Sequence, residues 1–399
     1  MKRYVQVGCG HRGTEAYAVP LVKQYGDYGT LCGVYDVNPL RAKLVSELTG
    51  KDIPVFDDFT RMLEEVKPDT VIVTTVDCFH DRYIVEALEA GCDVISEKPL
   101  TTTLEKARAI YETQKRTGHK VTVTFNLRFH PFFSKLKEMV DSGVLGEILS
   151  VHYEWMLGMK HGADYFRRWH AEREKSGTLL VHKSTHHFDI VNWLLDQYPV
   201  SVNAFGTRRV FGDAGEAGGQ RCLTCEHRCP FYYDITSNEA HRRLYLNCES
   251  ADGYLRDDCV YSKRVNIQDT VSVNALYSGG TVMSYTLSAF APYEGMKLVL
   301  NGTKGRMEAT NIDNTVRLYT TDGRDELIQL PAEEEDDAHG GADRRIRDNL
   351  FMGKPIDLPG QSAGLREGFM SIAIGIAADE SMRSGRQIDL RPYADTLFK

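Results

Sequence analysis

"VQVGCGHRG", residues 5–13, carries a short strand-forming run straight into Gly8, Gly10 and Gly13. The G-x-G-x-x-G spacing fits a strand that turns sharply into a helix and leaves backbone N–H groups free to meet a pyrophosphate. His11 and Arg12 lie inside that turn and join the three glycines as candidate cofactor contacts. "TLCGVYD", residues 30–36, then reads as a second strand ending in Asp36, within the roughly 20-residue reach at which a ribose-binding carboxylate follows the glycines. A carboxylate there accepts hydrogen bonds from the adenosine ribose and repels a 2′-phosphate, which favours NAD over NADP. Arg41, a little further on, works against that preference.

Outward from this turn the rhythm persists. "TVIVTT" (70–75), "DVISEK" (93–98) and "VTVTF" (121–125) are near-continuous apolar runs separated by helical stretches: one expected from Thr14, others at Phe59–Glu65 and Arg82–Ala90, and one ending at Gly118. Apolar strands alternating with helices mean a parallel sheet covered on both faces. Beyond residue 126, after one more helix in "PFFSKLKEMVDSG", the period falls to two. "EILSVHYEWML", "VSVNAFGTRRV", "DTVSVNALYSG", "TVMSYTLSAF", "MKLVLNGT", "GRMEATN" and "TVRLYTT" predict a large antiparallel sheet with one wet face. Helices are expected at about 177–195, 342–352 and 363–383, and the acidic run "AEEEDDAHGGADRR" (332–345) reads as a solvated linker. The expected fold class is therefore α/β. An N-terminal Rossmann doubly wound parallel sheet occupies residues 1–125, and a C-terminal α+β domain with a large, mostly antiparallel sheet occupies 126–399, with a Cys-rich insertion at about 212–262.

The bulk numbers narrow the classes. A length of 399 residues suits more than one domain, while 42% apolar and 26% charged residues describe an ordinary globular protein. The net charge of −8 gives no electrostatic footprint for nucleic acid. No apolar run approaches the roughly 18 residues that span a bilayer, and "MKRYVQVG" lacks the apolar core of a secretory signal. Neither nucleic acid nor membrane is an expected partner, and the expected location is cytoplasmic.

Two segments carry candidate chemistry. "SEKPL" places Glu97 and Lys98 just past a parallel strand, at the edge of an open α/β sheet where ligands sit. In "LLVHKSTHHFDIVNWLL" a continuous helix would put His182, His186 and Asp189 on one face with Lys183 beside them, and His187 off the stripe in a structural position. A histidine near a carboxylate suits general acid–base work, although two histidines four apart are also a zinc spacing.

The ordered set of the glycine motif, the acidic end of strand two, "TTVDCFH" (74–80), "EKPL" (97–100), "FNLRFHP" (125–131) and a later H-x-x-D helix resembles the glucose–fructose oxidoreductase, inositol dehydrogenase and rhizopine-catabolism family over nearly the whole chain. The resemblance implies a two-domain NAD(P)-dependent oxidoreductase acting on sugars or cyclitols, with the nicotinamide between the domains. It implies that Lys98 steers the reacting hydroxyl, that His186 accepts its proton and that Asp189 supports that helix. Asn126 and Arg128 would border the cofactor and substrate cleft, and Thr74, Thr75 and His80 would fall at the cofactor. Many members carry an aspartate four residues before the histidine. Here that position is His182, so Lys183 and His182 compete with His186 for the role of base. Tyr153, Trp155, Arg168, Trp169 and His170 are candidate substrate contacts, since aromatic faces and arginines suit sugar rings.

Of nine cysteines, Cys222, Cys225 and Cys229 form a C-x2-C-x3-C run, with Cys259 some 30 residues later. Four thiolates in that pattern suit a structural zinc ion, with an iron–sulfur cluster as the second candidate and Cys248 as the alternative fourth ligand. The functional expectation is hydride transfer on a sugar, glycoside or cyclitol hydroxyl. The alternatives are a redox-assisted glycosidase with recycled NAD and a non-catalytic nucleotide-binding sensor. The exposed sheet face suggests a homo-oligomer, dimer or tetramer.

Overall fold

A computed structural model describes residues 1–330 and 339–398; residues 332–338 of the expected acidic linker lie outside the described residues. Strands β1 (Lys2–Val7), β2 (Gly29–Tyr35), β3 (Val55–Phe56), β4 (Thr70–Val73), β5 (Asp93–Ser96) and β6 (Val121–Val123) form a parallel sheet in the order β6-β5-β4-β1-β2-β3. The chain winds one way from β1 to β3 and the other way from β4 to β6, so the crevice beyond the ends of β1 and β4 is the topological switch point. Each of β4's four residues is buried, as helices on both faces require. The helix Phe59–Val66 shows the logic of the layer against it: Asp58 caps it by accepting from the Arg61 N–H, and Phe59, Met62, Leu63 and Val66 form the buried stripe.

The second sheet contains β7 (Ile148–Gly158), β8 (Pro199–Thr207), β9 (Thr270–Tyr277), β10 (Val282–Ala291), β11 (Gly295–Gly302), β12 (Gly305–Thr310), β13 (Thr315–Thr320) and β14 (Asp325–Gln329). Near the C-terminus β15 (Ala363–Gly364) pairs antiparallel with β6 in the first sheet, and β16 (Ile388–Asp389) adds an edge beside β8 in the second. The order is β14-β13-β12-β11-β7-β10-β9-β8-β16, antiparallel except for the β7–β10 pair. Strict alternation along β9 leaves one face wet. The helices Thr185–Leu195 and Leu365–Ser384 pack together, and the longer one lies against β8. A Cβ at Gly375 would come within 2.4 Å of the Leu180 carbonyl oxygen, so glycine sets how closely the long helix approaches its neighbour.

Two local features depart from expectation for physical reasons. The first helix begins at His11 rather than Thr14 and widens into a π turn at Thr14–Ala18. Pro20 follows, and a proline ring crowds the carbonyl four residues back, which the wider turn relieves. The helix expected at 177–195 is two pieces, Leu179–His182 and Thr185–Leu195, because the Ser184 N–H reaches back to the Leu179 carbonyl (2.9 Å) and ends the first piece. The helix Ala342–Met352 lies where it is expected and packs on the first domain through Phe351, which meets Tyr4 and Tyr25.

Candidate active site

The glycine turn is shaped by close backbone approach. Gly8 has φ +90°, and a Cβ there would sit 2.5 Å from the Thr74 carbonyl oxygen; a Cβ on Gly13 would sit 2.5 Å from that of Gly8. Thr74 Oγ1 donates to the Gly8 carbonyl (2.7 Å), which locks the β1 turn to the end of β4. At the end of β2 the Asp36 carboxylate accepts from the N–H groups of Cys9 (2.6 Å) and Asn38 (2.8 Å) and pairs with Arg41 Nη1 (3.2 Å). These are the parts of a dinucleotide-binding turn: the glycine turn, a helix N-terminus behind it, where the His11 N–H donates to the Tyr245 hydroxyl (3.0 Å), and a carboxylate at the end of β2.

Not every expected cofactor residue faces that crevice. Arg12 makes a bidentate pair with Asp343 (2.6 and 2.9 Å) and donates from Nε to Glu97 (2.7 Å), which also accepts from the Tyr17 hydroxyl (2.8 Å). Burial pushes the Glu97 carboxyl up, but Arg12 and Lys98 more than offset it and hold it below the usual carboxylate range. Asn126 Nδ2 donates to Asp343 (2.8 Å), while its Oδ1 is buried without a hydrogen-bond partner. His80 lies between the carbonyls of Thr75 (3.1 Å) and Pro99 (2.9 Å) and joins two loops. Thr75 Oγ1 makes only a long contact with the Val76 carbonyl (3.4 Å). Arg128 is fully buried in a bidentate pair with Asp189 (2.7 and 2.8 Å) and also donates to the Gly360 carbonyl, so both residues anchor the helix Thr185–Leu195.

At the mouth of the crevice the two domains meet through Lys98, whose Nζ donates to the His182 carbonyl (3.0 Å). The His182 ring is not on one helical stripe with His186 and Asp189, because the helix is broken at Lys183–Ser184. Its Nδ1 lies 2.6 Å from Oδ2 of Asp77, a first-domain residue just past β4. Burial drives the Asp77 carboxyl up and the His182 imidazole down, so the shared proton lies between two groups that both resist charge. His186 is buried with Nδ1 unpartnered, and burial, Lys98 and Lys183 keep it neutral. Burial, with Lys98 adding to it, lowers Lys183 to about 8, and its ammonium lies over the Trp155 ring at 5.0 Å. Burial lowers Lys98 too, against the pull of Asp77 and Glu97.

The candidate substrate residues divide. Trp155 stacks on His187 (4.1 Å), and Trp169 stacks on His170 (3.7 Å); both members of the second pair meet the His182 ring edge-on. Nε1 of Trp155 and Nδ1 of His170 are buried without partners. Arg168 pairs with Asp164 (2.9 Å), and Tyr153 is packed among Tyr285, Trp155 and His187. His187 bonds the Tyr285 hydroxyl (2.7 Å), which in turn donates to Ser184 (2.9 Å), a structural role.

Residues 2–125 match the oxidoreductase family's NAD-binding Rossmann fold, and residues 137–390 match that family's C-terminal alpha/beta domain. The chain belongs to the glucose–fructose oxidoreductase, inositol dehydrogenase and rhizopine-catabolism family. YteT of Bacillus subtilis (strain 168), named as an oxidoreductase, is 34% identical over 98% of both chains. A D-glucoside 3-dehydrogenase of Escherichia coli (strain K12) is 40% identical over 30% of this chain and 33% of its own. In fold the chain resembles the WlbA dehydrogenase of Bordetella pertussis, solved with NADH and UDP-GlcNAcA, at a TM-score of 0.68, 19% identity and 98% coverage of both chains. An oxidoreductase of Agrobacterium radiobacter solved with NAD+, L-tartaric acid and magnesium gives 0.70 at 16% identity, over 98% of this chain and 99% of that one.

Within this family fold the cysteine cluster needs a correction. Cys222, Cys225, Cys229 and Cys259 do line one pocket, with His227 and Tyr261, whereas Cys248 lies apart beside Arg41. Among the described residues, however, no group of three or more His, Cys, Asp and Glu side chains is placed to hold a metal ion. Cys225 turns its Sγ to the His227 carbonyl (3.1 Å), and burial raises the thiols of Cys222 and Cys259. The placement of these side chains therefore does not support the expected zinc ion or an iron–sulfur cluster. The metal reading of His182, His186 and Asp189 fails the same test, since His182 faces Asp77 and Asp189 faces Arg128.

Sequence reading missed Asp77 and Asp343. Asp77 had a signal: it follows a parallel strand in the same strand-end position that made Lys98 a candidate. Asp343 had none, since its partners Arg12 and Asn126 lie more than 200 residues away.

Proposed function

We propose that this family member is an NAD-dependent oxidoreductase that moves hydride between the nicotinamide and a carbinol carbon of a sugar, glycoside or cyclitol. The observation that carries the reading is the meeting of Lys98 from the first domain with His182, Lys183 and His186 from the second, over buried ring and amide atoms that lack partners. Asn126 Oδ1 at the cofactor crevice and the Trp155 and His170 nitrogens nearby are polar groups that a bound cofactor and a hydroxylated ring would satisfy. Bound NAD supplies the hydride acceptor. Lys98 donates a hydrogen bond to the reacting hydroxyl oxygen, and neutral His186 takes the hydroxyl proton as the C–H hydride leaves and the carbonyl forms. The names of the relatives, a D-glucoside 3-dehydrogenase and an inositol 2-dehydrogenase of Rhizobium meliloti (26% identical, 57% of this chain and 73% of its own), support the substrate class.

The Asp77–His182 pair favours a second reading, redox-assisted glycoside cleavage. After oxidation at C3, a base would remove the acidified C2 proton, the aglycone would leave C1 with a proton from an acid, water would add its hydroxide at C1 and a proton at C2, and the hydride would return to C3 with a proton to its oxygen. That sequence needs more than one proton-handling group, and His186 and the Asp77–His182 pair supply two. The sensor reading has less support, since Lys98 and His186 are both in place. Exposed apolar residues on the open sheet face, Phe205, Leu276 and Val282, support self-association of this chain. Incubation with a panel of free sugars, cyclitols and chromogenic glycosides, following nicotinamide absorbance and aglycone release together, tests the reading. Nicotinamide reduction with no aglycone is expected of a dehydrogenase, and aglycone release at constant absorbance is expected of the cleaving enzyme. Neither signal on any compound refutes both.

A further inference from the structure

The insertion between β8 and β9 folds back onto the first domain beside Asp36. Its Arg243 pairs with Glu47 (2.9 Å), the Cys248 carbonyl accepts from Asn38 Nδ2 (2.9 Å), and the Tyr245 hydroxyl accepts from the His11 N–H (3.0 Å). Arg41 is the centre of this contact. Its Nη1 donates to Asp36 (3.2 Å), its Nη2 to Asp252 of the insertion (3.0 Å) and its Nε to the Leu244 carbonyl (3.2 Å). The Tyr245 ring lies 5.5 Å from the guanidinium carbon. The side chains of Asp36, Arg41 and Asp252 are only 6%, 10% and 19% exposed.

An arginine close to the acidic end of β2 is where an NADP-binding protein places its 2′-phosphate contact. Here that arginine is spent. We infer that Asp252, supplied by the insertion, is a specificity-determining residue for the adenosine ribose: by holding Arg41 against Asp36 it keeps all three guanidinium nitrogens engaged within the protein and away from the role of a 2′-phosphate contact. The local balance of two carboxylates to one guanidinium is net negative, so a 2′-phosphate meets repulsion, whereas a ribose hydroxyl is a donor and suits a carboxylate. Specificity thus comes from a charge arrangement built against the wrong cofactor. The insertion, two hundred residues downstream in sequence, completes a discrimination that Asp36 begins. This inference rests on the NAD reading above.

The test is titration of NAD and NADP, at one ionic strength, into the full-length protein and its Asp252→Asn, Asp252→Ser and Asp252→Asn/Arg41→Met variants. Asp252→Asn should bind NAD within about threefold of the parent and NADP about tenfold more tightly, as expected for one released ionic contact near a phosphate. Asp252→Ser should behave alike, which guards against a failure peculiar to one replacement. The double variant should lose the NADP gain. An unchanged NAD-to-NADP ratio in both folded single variants overturns the role of Asp252, and a gain that survives loss of Arg41 overturns the route through that residue. Failure of the parent to bind either nucleotide overturns the dinucleotide site itself and this inference with it, an outcome distinct from binding without discrimination change.

Discussion

Asp77 is one carboxylate whose removal should change chemistry without touching the phosphate cradle. It meets His182 Nδ1 at 2.6 Å, and the next group in the chain of contacts is Lys98, bonded to the His182 carbonyl. Asp77→Asn keeps the shape but cannot accept an N–H in the same way, so the imidazole loses its fixed tautomer. The expected result is a fall in kcat of about 10²-fold with the NAD dissociation constant nearly unchanged. Lys183 separates the candidate bases by pH. Burial holds His186 below its ordinary value and therefore neutral at pH 7, whereas Lys183 titrates at about 8. If His186 takes the proton, kcat for oxidation is flat from pH 7 to 9; a rise through about 8 that disappears in Lys183→Met would move the role to Lys183. The same lysine has a stability consequence. Its folded value lies below the unfolded one, so the unfolded chain binds more protons between about 8 and 10.4, and stability rises with pH across that window. Lys183→Met should be more stable than the parent at pH 7, and the difference, read from denaturant midpoints, should shrink as pH passes 8 and approaches 10.4.

The element that carries these groups is the helix Thr185–Leu195, anchored from below by Arg128 and Asp189. Burial raises the Asp189 carboxyl to about 6 even with Arg128 beside it. Arg128→Met would leave that carboxylate alone in the interior, at a cost of about 3–5 kcal/mol in unfolding free energy, and Arg128→Met/Asp189→Leu should recover most of the loss. Urea unfolding of the two variants decides it: equal losses would mean that the pair contributes packing and not charge balance. At this scale the sequence was legible where periodicity governs. The strand–helix alternation of the first domain and the period-two strands of the second appear close to where they were expected, because burial on two faces or one face writes itself into the pattern. The break at Lys183–Ser184 was not legible. His182, His186 and Asp189 keep perfect helical spacing, and only the tertiary pull of Asp77 on one ring and Arg128 on the carboxylate shows that they serve different partners. The cysteine run misled in a related way, since spacing states which residues can converge and not how the thiols turn.

Across the whole molecule, the cofactor cleft is closed by residues that neither domain supplies alone. Asp343, on the helix Ala342–Met352, binds Arg12 behind the glycine turn, His339 Nδ1 (3.0 Å) and the amide of Asn126. The contacts with Arg12 and Asn126 join positions hundreds of residues apart, and a single chain carries no local signature of them. Asp343 is 5% exposed in its side chain and Arg12 34%, so the pair is half in water and worth less than a fully buried one. Against the opposing effect of burial, the hydrogen bonds from His339 and Arg12 hold the Asp343 carboxyl far below the usual range. That depressed value makes its contribution to stability present above the unfolded value near 4 and lost as pH falls toward the folded one. Asp343→Ala should therefore lower the melting temperature at pH 7, with a loss on the order of 1–3 kcal/mol, and the deficit should shrink at pH 3 or below. Because Asn126 and the glycine turn lose a common anchor, KM for NAD should rise more than kcat falls. Steady-state kinetics at saturating substrate reads the two apart: a variant with an unchanged KM and a collapsed kcat would place Asp343 with the proton-handling groups instead of with the cofactor cradle.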